Sequence, residues 1–391
     1  MSRTSERLNS LPQYVVAEIA AVKSRLLDQG VDVIDVAAGD ADFAPPELAV
    51  ETLREALSDS SLSRYSYQVG LRQYRDAIAA YMLRRFGVTV DPMSEVLPLI
   101  GSKEGLAHFV MAVVNPGEVV VIPDPGYPAY LGGARFADAD IEMYPLKPEQ
   151  HFLIELGTLP KERLSMTSLV FANYPNNPTA AVANRNYLND LVRNCVDNRV
   201  VLAYDNPYCE LTYDDYTAPS ILEIDGAREV TVEFHSFSKS FGMTGWRLGW
   251  AVGNADLINA LSRTKSYMDT GPFLAIQKTG AVVLDHSEAC VEPVRRAFRE
   301  RRDSLVAAMA ESGFPIDKPR ASMYAWVPLP AGVKSVAFAK SLLEKEGVAV
   351  LAGSALGSGG EGFFRIALTV GAERLREAAR RICNELKCVE A

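Results

Sequence analysis

The chain has 391 residues, 48% hydrophobic and 23% charged, a balance that builds a folded core and excludes a disordered chain. Its net charge of −9 argues against nucleic acid or an anionic membrane as a partner. It has no apolar leader stretch and no run of 18 apolar residues, so neither secretion nor a membrane span is expected, and the expected location is the cytoplasm.

Apolar runs at 96–100, 118–122, 168–172, 200–204, 230–234 and 248–252 alternate with longer polar or amphipathic stretches. That rhythm predicts an α/β fold, a mostly parallel sheet covered by helices. The length allows two or three domains. Residues 45–285 are expected to form a large domain and 286–391 a smaller one, with 1–44 as an N-terminal arm and part of the smaller domain.

The first run feeds Gly101-Ser102-Lys103-Glu-Gly105, ahead of a helical-looking 106–114. A small-residue turn entering a helix aims free N–H groups at an anion. Its spacing fits neither a Walker loop nor a dinucleotide fingerprint. The second run leads to Pro123-Asp-Pro-Gly-Tyr127, whose ring serves either packing or stacking on a flat ligand. The third leads to Asn173-Tyr-Pro-Asn-Asn177-Pro, a turn signal that also supplies amides. The fourth ends in Asp205-Asn-Pro-Tyr208; this carboxylate is either a turn residue or a strand-end ligand group. The fifth opens into Ser236-Phe-Ser238-Lys239-Ser-Phe-Gly-Met-Thr-Gly-Trp-Arg247, a lysine among hydroxyls closed by an arginine. Further on, the charged run after Pro293 reads as a solvated helix face, and Gly353-Ser-Ala-Leu-Gly-Ser-Gly-Gly as a flexible loop. Cys195, Cys209, Cys290, Cys383 and Cys388 have no metal-ligand spacing, which fits reduced thiols and no bound metal.

The order of these features points to one chemistry. A lysine just past a buried strand is poorly placed as a surface charge and well placed as a nucleophile toward an aldehyde. With Ser236, Ser238 and Arg247 as phosphate donors, the aldehyde that fits is pyridoxal 5′-phosphate, PLP. Asp205 would hold the pyridine nitrogen protonated, Asn177 and Tyr208 would reach the phenolic oxygen, Gly101, Ser102 and Lys103 would cradle the phosphate, and Tyr127 would stack on the ring.

Along nearly its whole length the chain resembles the fold-type I PLP enzymes, specifically the class I/II aminotransferases. The resemblance implies a seven-stranded, mostly parallel large-domain sheet with a smaller α+β domain, and it gives Lys239 the Schiff-base role. It implies further roles. Arg365 in Gly360-Glu-Gly-Phe-Phe-Arg365 matches the arginine that clamps the substrate α-carboxylate, and Gly39 a glycine whose backbone helps it. Tyr65 matches a tyrosine that reaches the phosphate of a neighbouring subunit, which implies a homodimer with shared active sites.

Several segments are similar to the bacterial LL-diaminopimelate aminotransferase-like branch, among them Asp124-Pro-Gly-Tyr-Pro-Ala-Tyr130 and Tyr174-Pro-Asn-Asn-Pro-Thr-Ala-Ala181. Two departures stand out. Ala41 replaces the proline of Gly-Asp-Pro-Asp, and Tyr267 replaces the asparagine of Lys-Thr-Asn-Ile-Asp-Ser-Gly. Tyr267 is expected at the substrate side chain. The expected substrates are an L-amino acid and a 2-oxo acid, with the diaminopimelate, alanine and aspartate types left open. Cofactor contacts do not decide which Cα bond breaks, so a C–S β-lyase, a decarboxylase or a specialised biosynthetic enzyme stays in view. A transcription regulator on the same fold needs an added DNA-binding domain.

Overall fold

The computed structural model describes residues 4–11, 16–67 and 69–390. Twelve strands occur among them: β1 (Ile34–Asp35), β2 (Val96–Leu99), β3 (Val119–Asp124), β4 (Asp140–Pro145), β5 (Thr167–Asn173), β6 (Val201–Asp205), β7 (Thr231–Ser236), β8 (Gly249–Gly253), β9 (Tyr324–Pro328), β10 (Val348–Ala349), β11 (Leu351–Ala352) and β12 (Phe363–Ala367). Seven of them form one sheet in the order β2-β8-β7-β6-β5-β3-β4. Only β8 runs antiparallel to its neighbours; the other pairs are parallel. The mostly parallel seven-stranded sheet is therefore present.

The six apolar runs correspond to β2, β3, β5, β6, β7 and β8, which are buried almost throughout because helices cover both faces. β4 has no such run. It is one of the two edge strands and is half exposed, whereas β2, at the other edge, is buried throughout; the β4 sequence Asp-Ile-Glu-Met-Tyr-Pro alternates as one-sided burial requires. A second sheet, β11-β12-β9, is antiparallel and sits on its own apolar cluster, with Phe298, Leu305, Phe338, Phe364 and Ile382 at its centre.

One sequence expectation needs correction. The charged run lies within helix Ser287–Glu311 and is not a purely solvated face. Arg302 is fully buried, pairing with Asp214 at 2.8 Å and lying over the Tyr213 ring. Arg301 pairs with Asp42 at 2.6 Å and covers Phe43. Guanidinium tolerates this burial because its planar fork directs its donors at carboxylates while its face stacks on a ring. The loop at 353–360 forms two short 3-10 turns tied to β3: Ser358 Oγ donates to Asp124 Oδ2 at 2.7 Å and the Gly359 amide to Oδ1 at 2.9 Å.

Candidate active site

β3, β5, β6 and β7 are parallel, so their carboxyl ends open on one edge of the sheet, where ligands of open α/β folds collect. A cavity of about 540 Å³ lies there. Ser102, Lys103, Tyr127, Asn177, Asp205, Tyr208, Ser236, Ser238, Lys239, Arg247, Gly39 and Arg365 all line it.

Lys239 sits in a single helical turn, Phe237–Ser240, directly after β7, and its Nζ donates to the Gly39 carbonyl. Burial holds its ammonium below the usual lysine range; Tyr324 and Asp40 oppose the shift, and Arg365 and Arg247 add to it. The amine is thus biased toward its neutral, nucleophilic form. A side chain at Gly39 would force Tyr324 to move: a Cβ would lie 2.2 Å from its hydroxyl.

Arg247 donates to Ser238 Oγ at 3.4 Å and to the Thr244 carbonyl at 2.8 Å. Gly101 does not line the cavity itself, but it makes room for this guanidinium. At φ +79° its missing Cβ would fall 2.5 Å from Arg247 Nη2. Ser102 then opens helix Ser102–Val113, so that an arginine, a serine and a helix N-terminus meet on one side of the cavity. That donor set suits a phosphate.

Asp205 ends β6 and is buried. Burial pushes its carboxyl up to about 7, against the lowering effect of a 2.7 Å hydrogen bond from the Tyr130 hydroxyl to Oδ2. Its other oxygen, Oδ1, is buried with no partner among the described residues. A buried acceptor left open on a ligand cavity calls for a donor or cation. The Asp205 carbonyl is fixed by Asn173 Nδ2 at 2.7 Å.

Arg365 projects from β12, five per cent exposed, with its guanidinium 4.1 Å from the Tyr324 ring centroid. It donates to Asn177 Oδ1 at 2.8 Å and to the Ala37 carbonyl at 2.8 Å, while Nε lacks a partner among the described residues. The Tyr208 and Tyr324 hydroxyls lie 3.3 Å apart, and burial raises the Tyr208 phenol. Tyr127 caps helix Pro128–Phe136 beside Tyr130, ring centroids 5.7 Å apart.

Tyr65 and Tyr267 stand apart. They are 67% and 91% exposed and do not line the cavity of their own chain. Two residues that sequence reading missed belong to the site. Tyr324 lies in an aromatic strand that reads as ordinary core, and Tyr130 lies one helical turn beyond Tyr127, a spacing that could have flagged it.

The model for aminotransferases of class I and II matches residues 31–382. The chain belongs to that family. It is an aminotransferase on the fold-type I scaffold. An LL-diaminopimelate aminotransferase from Syntrophobacter fumaroxidans is 42% identical over 97% of this chain and 97% of its own length. Among solved structures, apo-BacF from Bacillus subtilis matches with a TM-score of 0.94 at 32% identity, over 98% of each chain. A mutant aspartate aminotransferase from Thermus thermophilus matches with a TM-score of 0.90 at 29% identity, over 98% of this chain and 100% of that one.

Proposed function

We propose that this aminotransferase uses PLP held at Lys239 to move an amino group between LL-diaminopimelate and a 2-oxo acid, in a ping-pong cycle, as a homodimer in the cytoplasm. The observation that carries the cofactor reading is the unpartnered, buried Asp205 Oδ1 facing the same cavity as a lysine with a lowered ammonium. The residues fit the group: Asp205 for the ring nitrogen, Tyr208 and Asn177 for the phenolic oxygen, Tyr127 for the ring face, and Ser102, Lys103, Ser236, Ser238 and Arg247 for the phosphate. When bound, PLP supplies an electron sink that makes the substrate Cα proton acidic.

The protein's own groups do the rest. Arg365 receives the α-carboxylate through two parallel donors, a geometry that an ammonium cannot offer. Its bond to Asn177 Oδ1 ties that clamp to a residue assigned to the cofactor. Lys239 then acts as the base that takes the Cα proton, a role suited to an amine whose affinity for protons is reduced by burial. The tight Gly39–Tyr324 contact keeps the Gly39 carbonyl within reach of Lys239 Nζ.

The diaminopimelate reading rests on relatives of that name at 41–42% identity over nearly the whole chain. A screen of amino donors against pyruvate, 2-oxoglutarate and oxaloacetate tests it, with LL-diaminopimelate and 2-oxoglutarate expected as the best pair. A clear preference for alanine, aspartate or an aromatic donor would overturn it.

Two observations support the dimer and the location. Tyr65, Tyr67, Val69, Tyr267, Met268 and Phe273 are all exposed, an apolar and aromatic group that a second copy of the chain would cover. The Tyr65 and Tyr67 rings lie 5.7 Å apart, and Ser66 is hydrogen-bonded to the Thr270 carbonyl, which joins the two segments into one surface. The five cysteines are free, four of them buried, as a reducing compartment allows.

A further inference from the structure

Lys265 ends helix Ala255–Lys265 and its side chain is fully buried. A buried ammonium is costly unless it is paired. Here Nζ lies 2.7 Å from Glu104 Oε1 and 2.9 Å from Asp269 Oδ2. His108, one turn beyond Glu104, brings Nδ1 to 3.0 Å from Glu104 Oε2. The His108, Glu104 and Asp269 ligand atoms are close enough together to surround a cation, and the Lys265 ammonium bonds both carboxylates there.

Each carboxylate also holds backbone. Glu104 Oε1 accepts the Ile100 amide at 2.8 Å, directly ahead of the Gly101–Ser102 turn assigned to the phosphate. Asp269 Oδ1 accepts the Gly271 amide at 2.6 Å and so fixes the turn that directly follows Tyr267. From there the connections continue. Ser66 Oγ bonds the Thr270 carbonyl, while the buried Gln277 accepts the Leu71 amide at 2.7 Å and donates to the Pro272 carbonyl at 2.7 Å. An unbroken chain of bonds thus runs from the phosphate side of one cavity to the surface bearing Tyr65 and Tyr267.

We propose that Lys265 is a positioning residue: clamped between Glu104 and Asp269, it couples the phosphate cradle of its own site to the tyrosine surface that completes the neighbouring subunit's site. The coupling rests on the shared-site dimer proposed above. It also gives a physical role to a charged group in this core position. An apolar residue of similar volume would fill the space, but would not hold two backbone turns through their carboxylates.

The test uses full-length heterodimers with one live site. One chain carries Tyr65→Phe and an intact Lys239; the other carries Lys239→Ala and an intact Tyr65. The neutral triple replacement Glu104→Gln, Lys265→Met, Asp269→Asn is then added to the Lys239→Ala chain alone. That chain gives the live site its tyrosine surface and nothing of its own cradle. The expected result is a PLP Kd at the live site raised roughly tenfold or more, as misplaced positioning groups produce. KM for the donor should rise while kcat stays within about twofold, a split that general destabilisation would not give. Should the triple chain fail to fold, Asp269→Asn alone is read in the same way. An unchanged live site, with the loss appearing only when the replacements are in the Tyr65→Phe chain, would restrict the cluster to its own cradle and overturn the proposal. If the heterodimer without these replacements showed no activity, the shared-site dimer would fail first and take the coupling with it.

Discussion

Arg365 and Asp205 each do something that no neighbouring residue type can do, and both lend themselves to measurement. Arg365 directs one donor at Asn177 and another at the Ala37 carbonyl, so its orientation is set before substrate arrives. Arg365→Lys keeps the charge and loses the paired donors. It is expected to lower kcat/KM by about 2–4 kcal/mol in transition-state terms for every donor tested. A loss confined to one donor would mean that Arg365 reads the side chain and not the α-carboxylate. Asp205 makes a prediction about pH. In protein stripped of cofactor its carboxyl is pushed up to about 7, above its value of 3.8 in the unfolded chain. The folded state therefore binds the extra proton, and its contribution to stability is full below about pH 4 and is lost as pH rises through about 7. The thermal midpoint of stripped protein should fall across that window, and Asp205→Asn should flatten the fall. With PLP bound, a cationic ring beside Oδ1 favours the carboxylate and should remove most of the dependence. A midpoint that rose with pH over the same window would contradict the burial argument.

At the scale of elements, the site is made by the turns at the carboxyl ends of the strands. β6 ends in Asp205, β7 runs into the turn of Lys239, and β2 runs through Gly101 into a helix N-terminus. Gly101 is the point where a helix, a strand and Arg247 converge. For a residue with a Cβ, the φ +79°, ψ 156° conformation of Gly101 costs about 1–3 kcal/mol. Such a residue also pushes against Arg247 Nη2, 2.5 Å away from where that Cβ would sit. Gly101→Ala is expected to weaken PLP binding by more than about tenfold, while the far-ultraviolet circular dichroism of the strand–helix unit stays unchanged, as read by equilibrium dialysis and spectroscopy. Binding at the original strength would show that Arg247 can retreat without losing its phosphate role.

On the scale of the whole molecule, Tyr65 and Tyr267 are exposed on the chain's surface. The expected assembly is a homodimer. Mixing chains with inactivating changes at Tyr65 and at Lys239 should restore activity that neither has alone, with sedimentation reporting a two-chain species. A fully active monomer would defeat the shared site. Tyr267→Asn should alter the ranking of donors more than PLP affinity. An untouched ranking would remove Tyr267 from substrate recognition.

By itself the sequence determined the rhythm of buried strands and the residues at their carboxyl ends, because a parallel strand covered on both faces must be apolar throughout and must hand over to a polar turn. Lys239, Asp205, Asn177, Tyr208, Tyr127 and Ser102 were legible for that reason; Arg247, which lies ahead of β8, was legible from the hydroxyl-rich segment that it closes. β4 had no such run because it is half exposed, unlike β2 at the opposite edge, which is buried throughout. Tertiary structure alone decided what lies between distant segments. Tyr324 meets Gly39, Tyr208 and Arg365 from three separate segments, Tyr130 reaches Asp205 across 75 positions, and Arg302 is buried against Asp214 and Tyr213, which no local pattern brings near. Periodicity reports which face of an element is covered, but the identity of the covering group depends on how the elements pack, and that is fixed only when the chain has closed on itself.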